Sequence, residues 1–537
     1  MIFIQISGEL FADDYPRNHG IDIQHYTFSL ALSDTSDTIV GETTVTVSFK
    51  KNGIQQFRLD LINSSKARDG RGMVVRSVKS GERVLQFTHN NDALVIHLPE
   101  PAASGEIVDI TITYSGIPAD GLRIGDTKYG DRSFFSNNWP NRARHWLPVI
   151  DHPYDKATSE FIVTAPLRYQ VISNGLLKEE TNLHNGDKLT HWKQSVPIPS
   201  WLFVLGVAEF AIQYVDEFRG KSVQSWVYPQ DREIGSRNFA EPTMHSLRFF
   251  SEYIGPFAYE KLANIQSPSV GGGMEAATAV FYSENAIQEE QTPWLHNVIV
   301  HEVAHHWFGN AVTESTWDDA WLSEGFATYF TLLFREHAYG RDDFLNHLDK
   351  AKKRVFEYYS DHPEYKIVDT RSPETGPVTS LATYQKGAWI LHMLRNLVGD
   401  PAFKKGIQSY YHRYMNSTAS TDDFKFEMEQ ASGNNLDAYF NQWLYQGGNP
   451  VVEGHWSYHP EQQVVTVQLS QVQSKQYRFE FPVEFGIYYD EQILPDVATR
   501  LMDQQRMELK ISVEEEPEEV VIDPHSKLLA KWNLVKK

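Results

Sequence analysis

The chain has 537 residues, which is too long for a single hydrophobic core, so several domains are expected. Its 49 Lys and Arg residues are outnumbered by 70 Asp and Glu, and the formal net charge of -21 argues against nucleic acid or an anionic membrane surface as a partner. The absence of cysteine excludes disulfides, thiolate metal ligands and a cysteine nucleophile, so any metal site must use histidine and carboxylate side chains.

No targeting or membrane segment is recognisable in the sequence. The N-terminal stretch MIFIQISGELFADDYPRN lacks the basic region and the following apolar run of a secretory signal peptide. The best apolar run begins at Trp201, is interrupted by Glu209 and is far shorter than the roughly 20 residues that span a bilayer. We therefore expect a soluble protein without a membrane partner, cytoplasmic by default, whereas a periplasmic or secreted location and the oligomeric state stay open.

The pattern of apolar residues changes twice along the chain. Up to about residue 210, apolar and polar residues alternate with a period of two, as at Val45, Val47 and Phe49, which predicts strands. Helical periodicity dominates the middle of the chain, and alternation returns after the GGNP breaker at residues 447–450. The sequence thus predicts a multidomain α+β protein, with an N-terminal β-domain at 1–210, a mostly helical domain at 211–447 and a small C-terminal β-sandwich at 448–537.

The stretch HEVAHHWFGN, which begins at His301, is the first candidate for chemistry. Thr292 can cap a helix that has proline in its first turn, and this would place the motif in the middle of the helix. His301 and His305 are four residues apart, so their side chains lie about 40° apart on one face and can reach a single ion. Glu302 projects about 100° away and can contact a water on the metal without binding the metal itself. His306 faces elsewhere, and we interpret it as a packed or hydrogen-bonded histidine.

A third metal ligand is predicted from the segment WDDAWLSEGFATYF. Glu324 follows His305 with eighteen residues between them, on a helical pattern in which Trp317, Trp321 and Thr328 share its side. A hairpin of the two helices would complete a His, His, Glu set with a fourth position open, which is typical of a catalytic zinc site. Magnesium and calcium prefer more oxygen ligands, so we expect one zinc ion.

Further motifs surround this pair of helices. They are GGMEA at residues 272–276, ATYQKGAW, which contains Tyr384 and Lys386, and RARHWLPVIDHP at residues 142–153. In order and spacing, these motifs resemble the gluzincin zinc aminopeptidases, the family of aminopeptidase N and leukotriene hydrolase, over most of the chain. The resemblance implies a saddle-like β-domain, a thermolysin-like catalytic domain and a β-sandwich. The family often adds a large helical domain that roofs the active site, and we expect this chain to lack it.

Roles for individual residues come from matching the motif positions of the family. The resemblance implies that His301, His305 and Glu324 hold zinc and that Glu302 is the general base. It implies that Tyr384 donates a hydrogen bond to the oxyanion that forms when water attacks the substrate carbonyl.

The GGMEA motif would recognise the substrate. The resemblance assigns Glu275 to the free amino group of a peptide, and Gly272 and Gly273 would let the backbone approach the substrate closely. The expected partners are therefore peptides with a free N-terminus.

The sequence departs from the family pattern at two places. Ala276 stands where the family usually has Asn after the Met-Glu pair. Asn137 and Trp139 stand where a Gln or Glu commonly helps to bind the amino group, so we assign Asn137 to substrate binding and expect a shallow aromatic subsite near Trp139. Arg144 and Asp151 are expected to form a stabilising pair rather than a substrate contact.

Four functions are compatible with these residues. The leading one is a zinc aminopeptidase that removes N-terminal residues from peptides. The same zinc site could instead serve an endopeptidase or an epoxide hydrolase, and the amine recognition by Glu275 separates these alternatives from the first. The remaining alternative is a non-catalytic peptide-binding protein on a peptidase scaffold, which the presence of ligands, base and tyrosine disfavours.

Overall fold

A computed structural model describes residues 13–369, 378–489 and 495–537. The described residues form two compact units. The N-terminal unit comprises Asp13–Ser323 and Gln408–Thr421, and the C-terminal unit comprises Glu324–Ile407 and Asp422–Lys537.

The first part of the N-terminal unit is built almost entirely of strands. In chain order they are β1 (Ile21–Ala31), β2 (Ile39–Phe49), β3 (Ile54–Asp60), β4 (Gly72–Ser80), β5 (Arg83–Val84), β6 (Gln86–Asn90), β7 (Ala93–Ala102), β8 (Ile107–Ile117), β9 (Leu122–Asp126), β10 (Arg132–Ser136), β11 (Ala157–Pro166), β12 (Gln170–Ser173), β13 (Leu176–Asn182), β14 (Asp187–Ile198) and β15 (Leu205–Ala208). They form an eight-stranded sheet in the order β13-β14-β11-β1-β2-β8-β4-β5, a four-stranded sheet β12-β15-β10-β9 and a three-stranded sheet β3-β7-β6.

The period-two pattern of the sequence explains the core of the large sheet. Strand β2 lies antiparallel between β1 and β8. Its residues Val45, Val47 and Phe49 are fully buried, as are Ile110 and Ile112 on β8. Because alternate side chains of a strand point to the same face, these residues line one buried side of the sheet. The predicted N-terminal β-structure is confirmed.

A second layer of the N-terminal unit carries the glycine motif. Its elements are β16 (Ala211–Phe218), β17 (Lys221–Val227), helix α1 (Arg232–Tyr253), β18 (Lys261–Ser267), β19 (Gly273–Met274), β20 (Ala279–Ser283), helix α2 (Pro293–His305), β21 (Val312–Glu314) and β22 (Ser417–Ala419). The strands β16-β17-β18-β20-β19 form one sheet in that order, with parallel pairs β17/β18 and β18/β20. Helix α1 packs on this sheet and against α2.

Most of the remaining helices lie in the C-terminal unit. They are α3 (Trp321–Tyr339), α4 (Arg341–Asp361), α5 (Leu381–Val398), α6 (Asp400–Tyr414), α7 (Thr421–Ser432) and α8 (Asp437–Leu444). Helix α5 begins with a capping box, in which the Ser380 side chain accepts from the Thr383 backbone and the Thr383 hydroxyl accepts from the Ser380 backbone. This cap fixes the start of the helix that carries Tyr384.

The chain ends in a second region of strands. They are β23 (Val451–His459), β24 (Val464–Gln471), β25 (Phe481–Tyr488), β26 (Asp496–Met502), β27 (Arg506–Ser512), β28 (Glu519–Ile522) and β29 (Lys531–Lys536). They form the sheets β27-β24-β23-β29 and β26-β25-β28. Both sheets contribute buried apolar residues, among them Val467 and Phe485.

The predicted α+β class is therefore confirmed, in the predicted order of β-rich, helical and β-rich regions. The sheet membership changes after β15 and again at β23. The domain boundaries at 210 and 447 remain a prediction. Among the described residues, no helix is both long enough and apolar enough to cross a membrane.

Candidate metal centre and active site

The histidine motif occupies the C-terminal end of α2. The Thr292 hydroxyl accepts a hydrogen bond from Leu295 N at 3.1 Å, which confirms the predicted cap. The prediction that the motif lies in the middle of the helix is wrong, because α2 ends at His305. Gly309 turns the chain with a φ of 109°, and Asn310 N donates to the His305 carbonyl at 3.0 Å, which closes the helix there.

The two histidines converge on one point. His301 Nε2 and His305 Nε2 lie 3.1 Å apart. Two nitrogen ligands of a tetrahedral zinc ion stand about 3.3 Å apart, given Zn–N bonds of about 2.0 to 2.1 Å. The spacing of the two nitrogens therefore fits a shared zinc ion.

The outer nitrogen of His305 is held by its surroundings. His305 Nδ1 lies 3.1 Å from the Phe308 carbonyl oxygen, which can only accept, so this nitrogen carries the proton and donates a hydrogen bond to the carbonyl. The tautomer leaves the Nε2 lone pair for a metal. The Ser323 hydroxyl also lies 3.1 Å from Nδ1. The sequence interpretation missed Ser323, although its position directly before Glu324 was a signal.

Glu324 follows Ser323 in the first turn of α3 and is buried, with 5% of its surface exposed. One ligand atom from each of His301, His305 and Glu324 can be chosen so that all three lie within 4.8 Å of one another. The Tyr384 hydroxyl donates a hydrogen bond to Glu324 Oε1 at 2.6 Å. The chain thus brings together a His, His, Glu donor set that could hold a metal ion, with a tyrosine beside it.

A second group of side chains in the N-terminal unit comprises Glu275, Glu302 and His305, whose ligand atoms also lie within 4.8 Å of one another. Glu275 and Glu302 are 6% and 5% exposed. Two buried carboxylates so close together repel each other, and a cation between them or beside them relieves that repulsion.

The two glycines Gly272 and Gly273 have different surroundings. A Cβ atom on Gly273 would lie 2.1 Å from Glu302 Oε1, so only glycine leaves room for the Glu302 carboxylate. A Cβ atom on Gly272 would meet nothing within 4 Å. Gly273 therefore serves the packing of Glu302, whereas Gly272 borders open space.

A residue of the histidine motif, Asn310, holds the backbone that follows Gly272 and Gly273. Asn310 Nδ2 donates to the Glu275 carbonyl oxygen at 2.6 Å. The next residue, Ala276, is buried at 2% exposure. The hydrogen bond joins the segment directly after β19, which carries Glu275, to the turn that ends α2.

His306 is a packed histidine, as predicted. Its Nδ1 donates to the Glu302 carbonyl oxygen at 3.1 Å, and its Nε2 accepts from Thr278 N at 3.2 Å. Complete burial lowers its pKa to about 3, so the ring is neutral. His306 therefore supports the backbone of Glu302.

The residues that depart from the family pattern have other partners. Asn137 Nδ2 donates to the Ser269 carbonyl oxygen at 3.1 Å and so helps to fix the segment before the glycine run, while its contact with a substrate remains a prediction. Trp139 packs edge-to-face on Trp201 and Trp317, with ring centroids 4.9 and 5.0 Å apart. An aromatic cluster is present, but its contact with a substrate remains a prediction.

The Arg144–Asp151 pair is structural, as predicted. Arg144 Nε donates to Asp151 Oδ2 at 2.9 Å, and the Ser200 hydroxyl donates to Asp151 Oδ1 at 2.8 Å. Burial raises the pKa of the Asp151 carboxyl, while Arg144 opposes that shift. Both carboxylate oxygens of Asp151 therefore have partners, and the pair holds the segment from residue 144 to residue 151 together.

Two family models match the chain: the Peptidase M1 N-terminal domain over residues 23–202, and the Peptidase family M1 domain over residues 239–443. A crystal structure of an M1 zinc metallopeptidase from Deinococcus radiodurans is similar, with a TM-score of 0.68, 25% sequence identity, and coverage of 81% of this chain and 96% of that chain.

Curated relatives point to the same family. Glutamyl aminopeptidase from Rattus norvegicus is 31% identical over 328 residues, which is 58% of this chain and 34% of the relative. Aminopeptidase A from Gloydius brevicauda is 28% identical over 455 residues, which is 74% of this chain and 46% of the relative. The chain thus spans between a third and a half of the length of these relatives.

The fold, the histidine motif on α2 and the two matching family models agree on one class of protein, the M1 family, to which the similar zinc metallopeptidase from Deinococcus radiodurans also belongs. The chain belongs to the M1 peptidase family, the gluzincin aminopeptidases that its motifs resemble.

Proposed function

We propose that the protein is a zinc-dependent aminopeptidase that hydrolyses the N-terminal residue from peptides. The observation that carries the proposal is the proximity of Glu275 to Glu302 and His305 in one buried group. An endopeptidase does not require a second carboxylate beside the general base. In an aminopeptidase, this carboxylate can bind the positively charged amino group of the substrate.

His301, His305 and Glu324 would hold a single zinc ion. Two imidazoles and one carboxylate are a donor set of catalytic zinc sites, and His305 is already held in the tautomer that presents Nε2. When bound, zinc supplies Lewis acidity, which polarises a carbonyl and brings the pKa of water to about 7.

Glu302 would act as the general base and acid. Its carboxylate is buried against Gly273 and its backbone carbonyl accepts from His306, so it has little freedom to turn away. From this position, Glu302 takes a proton from the attacking water and returns it to the leaving amine.

Tyr384 would stabilise the oxyanion of the substrate. Its hydroxyl lies 2.6 Å from Oε1 of the candidate metal ligand Glu324, so the donor is positioned next to the place where a metal-bound substrate carbonyl would lie. One such donor is typically worth about 3 to 4 kcal/mol of transition-state stabilisation.

Glu275 would bind the α-ammonium group of the substrate. A charged amine placed there neutralises one of the two buried carboxylates. This interaction would direct cleavage to the peptide bond that follows the N-terminal residue. The names of the relatives, glutamyl aminopeptidase and aminopeptidase A, support this reading.

The test combines zinc analysis with paired fluorogenic substrates, each aminoacyl group presented with a free and with an N-acetylated amine. We expect cleavage of the free-amine member of each pair in the zinc-loaded protein, and loss of activity after chelation. Glu275→Gln should lower kcat/KM for free-amine substrates by about 10- to 100-fold, the value of a hydrogen bond to a charged group. Glu284→Gln, which alters a carboxylate bonded to Tyr228 and to Lys128 N, is the matched control and should change little.

Two outcomes would reject the proposal in different ways. A preference for N-acetylated substrates, unaffected by Glu275→Gln, would show an endopeptidase. A zinc-loaded protein that cleaves no member of a broad substrate panel would favour a peptide-binding protein.

A further inference from the structure

Lys386 is a fully buried cation in the first turns of α5. Its side chain is 0% exposed, and burial lowers its pKa to about 7. Its Nζ donates to the Tyr359 hydroxyl at 3.1 Å and to the Gly448 carbonyl oxygen at 3.0 Å. The ammonium also lies 4.6 Å from the centroid of the Tyr359 ring. Within the part of the chain that the structure describes, no carboxylate pairs with it.

The Gly448 carbonyl that receives this hydrogen bond belongs to a tightly packed linker. Gly448 has a φ of +75°, and a Cβ atom there would lie 2.9 Å from the Tyr477 ring. A Cβ atom on Gly447 would lie 2.7 Å from the Tyr477 hydroxyl. Glycine at both positions allows the linker before β23 to pack closely on Tyr477, which lies in the loop between β24 and β25, while the Gly448 carbonyl faces Lys386 of α5.

The same turns of α5 contact α3 without intervening side chains. A Cβ atom on Gly325 would lie 2.9 Å from Gly387 Cα and 3.3 Å from the Thr383 carbonyl oxygen. Gly325 directly follows Glu324, and Gly387 directly follows Lys386. The backbone that carries Tyr384 is therefore fixed by α3 on one side and by the Lys386 hydrogen bond to the linker on the other.

We propose that Lys386 is a positioning residue for Tyr384, and that through the Gly448 carbonyl the linker to the C-terminal strands holds the Tyr384 hydroxyl in its working position. The role rests on the proposed function, in which Tyr384 is the oxyanion donor. The C-terminal strands would then affect turnover without providing a group that touches the substrate.

A purely structural role explains Lys386 poorly. Burying an ammonium group costs more free energy than burying a methionine side chain of similar length. Core positions are filled at lower cost by apolar side chains. The lysine supplies what methionine cannot, namely two directed hydrogen bonds that join α5 to Tyr359 and to the linker.

Lys386→Met tests the proposal, because it keeps the length of the side chain and removes the donors. In the zinc-loaded full chain we expect kcat to fall by about tenfold, part of the 100- to 1000-fold effect of an oxyanion donor, with KM and zinc content unchanged. In a Tyr384→Phe background, Lys386→Met should lower kcat by less than about twofold, because the residue that it positions is already disabled.

Two further variants separate positioning from general stability. Lys352→Met removes another largely buried lysine, which lies over the Trp389 and Trp532 rings, and should leave kcat unchanged. Tyr359→Phe keeps the ring but removes one acceptor and should give a smaller fall in kcat than Lys386→Met. Equal effects of Lys386→Met with and without Tyr384, or an equal effect of Lys352→Met, would overturn the proposal.

A readout without turnover separates this proposal from the proposed function. Amide hydrogen exchange of residues 381–387 should be at least about fivefold faster in Lys386→Met than in wild type or Lys352→Met. Unchanged exchange would reject the positioning role of Lys386 even if the protein is an aminopeptidase. A zinc-loaded wild type that cleaves no substrate would reject the proposed function, and the exchange data would still decide whether Lys386 holds this turn.

Discussion

The Tyr384 hydroxyl donates a hydrogen bond to Oε1 of Glu324 over 2.6 Å, across two helices that touch through their glycines. Glu324 is also a candidate metal ligand, so Tyr384 lies beside the set of candidate metal ligands. The two residues are 60 positions apart in the chain. Their contact therefore depends on the crossing of α3 and α5.

Replacing Tyr384 by phenylalanine should lower kcat by about 100- to 1000-fold, because the oxyanion loses one preorganised donor. KM for a free-amine substrate and the zinc content should stay close to wild type, since the amine and metal contacts are kept. Steady-state kinetics with metal analysis measure this. Tyr365→Phe, which removes a hydroxyl 3.3 Å from Thr383 Oγ1 near the start of α5, is the control and should retain most of the activity.

Gly325→Ala should damage both stability and activity. The new Cβ atom would lie 2.9 Å from Gly387 Cα, which forces α3 and α5 apart and costs about 1 to 3 kcal/mol of unfolding free energy. Urea denaturation with a kcat measurement tests this. Gly125→Ala, where a Cβ atom meets nothing within 4 Å, should be close to neutral, and equal behaviour of the two variants would contradict the close helix contact.

The candidate site residues could be predicted from the sequence where a short motif or the spacing of residues along a helix identifies them. The spacing of His301 and His305 follows from helix geometry, and the cap at Thr292 from its side chain. The apolar pattern does not predict that α2 ends at His305, because this end depends on the turn at Gly309.

Other features depend on contacts that no local pattern records. The helical pattern that begins at Trp317 was only partly right, because Trp317–Asp319 form a short 3-10 turn and α3 starts at Trp321. The hydrogen bond from Lys386 to Gly448 joins residues 62 positions apart. Spacing alone therefore predicts the candidate metal donors but not the contact between Lys386 and Gly448.

Ser323→Ala should weaken zinc binding by about tenfold, because the hydroxyl helps to hold the outer nitrogen of His305. The Phe308 carbonyl remains as a second partner of that nitrogen, so zinc binding should not be abolished. Competition with a chromophoric chelator measures the dissociation constant. Ser315→Ala, which changes a half-buried serine directly after β21, is the control, and equal zinc affinity of all three proteins would show that Ser323 does not support the ligand.

The two glycines before Glu275 should respond differently to alanine. In Gly273→Ala the new Cβ atom would lie 2.1 Å from Glu302 Oε1, so the base must move and kcat should fall by about 100-fold. In Gly272→Ala the Cβ atom enters open space, so kcat should be retained while KM rises if substrate lies there. Full activity of Gly273→Ala would place the working position of Glu302 elsewhere.

Asp155 makes stability depend on pH. Burial raises the pKa of its carboxyl to about 8, and the nearby Asp22 adds to the shift. The folded state therefore holds a proton that the unfolded chain has released, so the free energy of unfolding should fall as pH rises from about 4 to 8. Asp155→Asn keeps an acceptor for Ile23 N, removes this titration, and should stabilise the protein at pH 8 by on the order of 2 kcal/mol. Urea denaturation at pH 5 and pH 8, at constant zinc, measures both proteins. The exposed control Asp126→Asn should follow the wild-type slope, and an Asp155→Asn protein with that same slope would place the titrating group elsewhere.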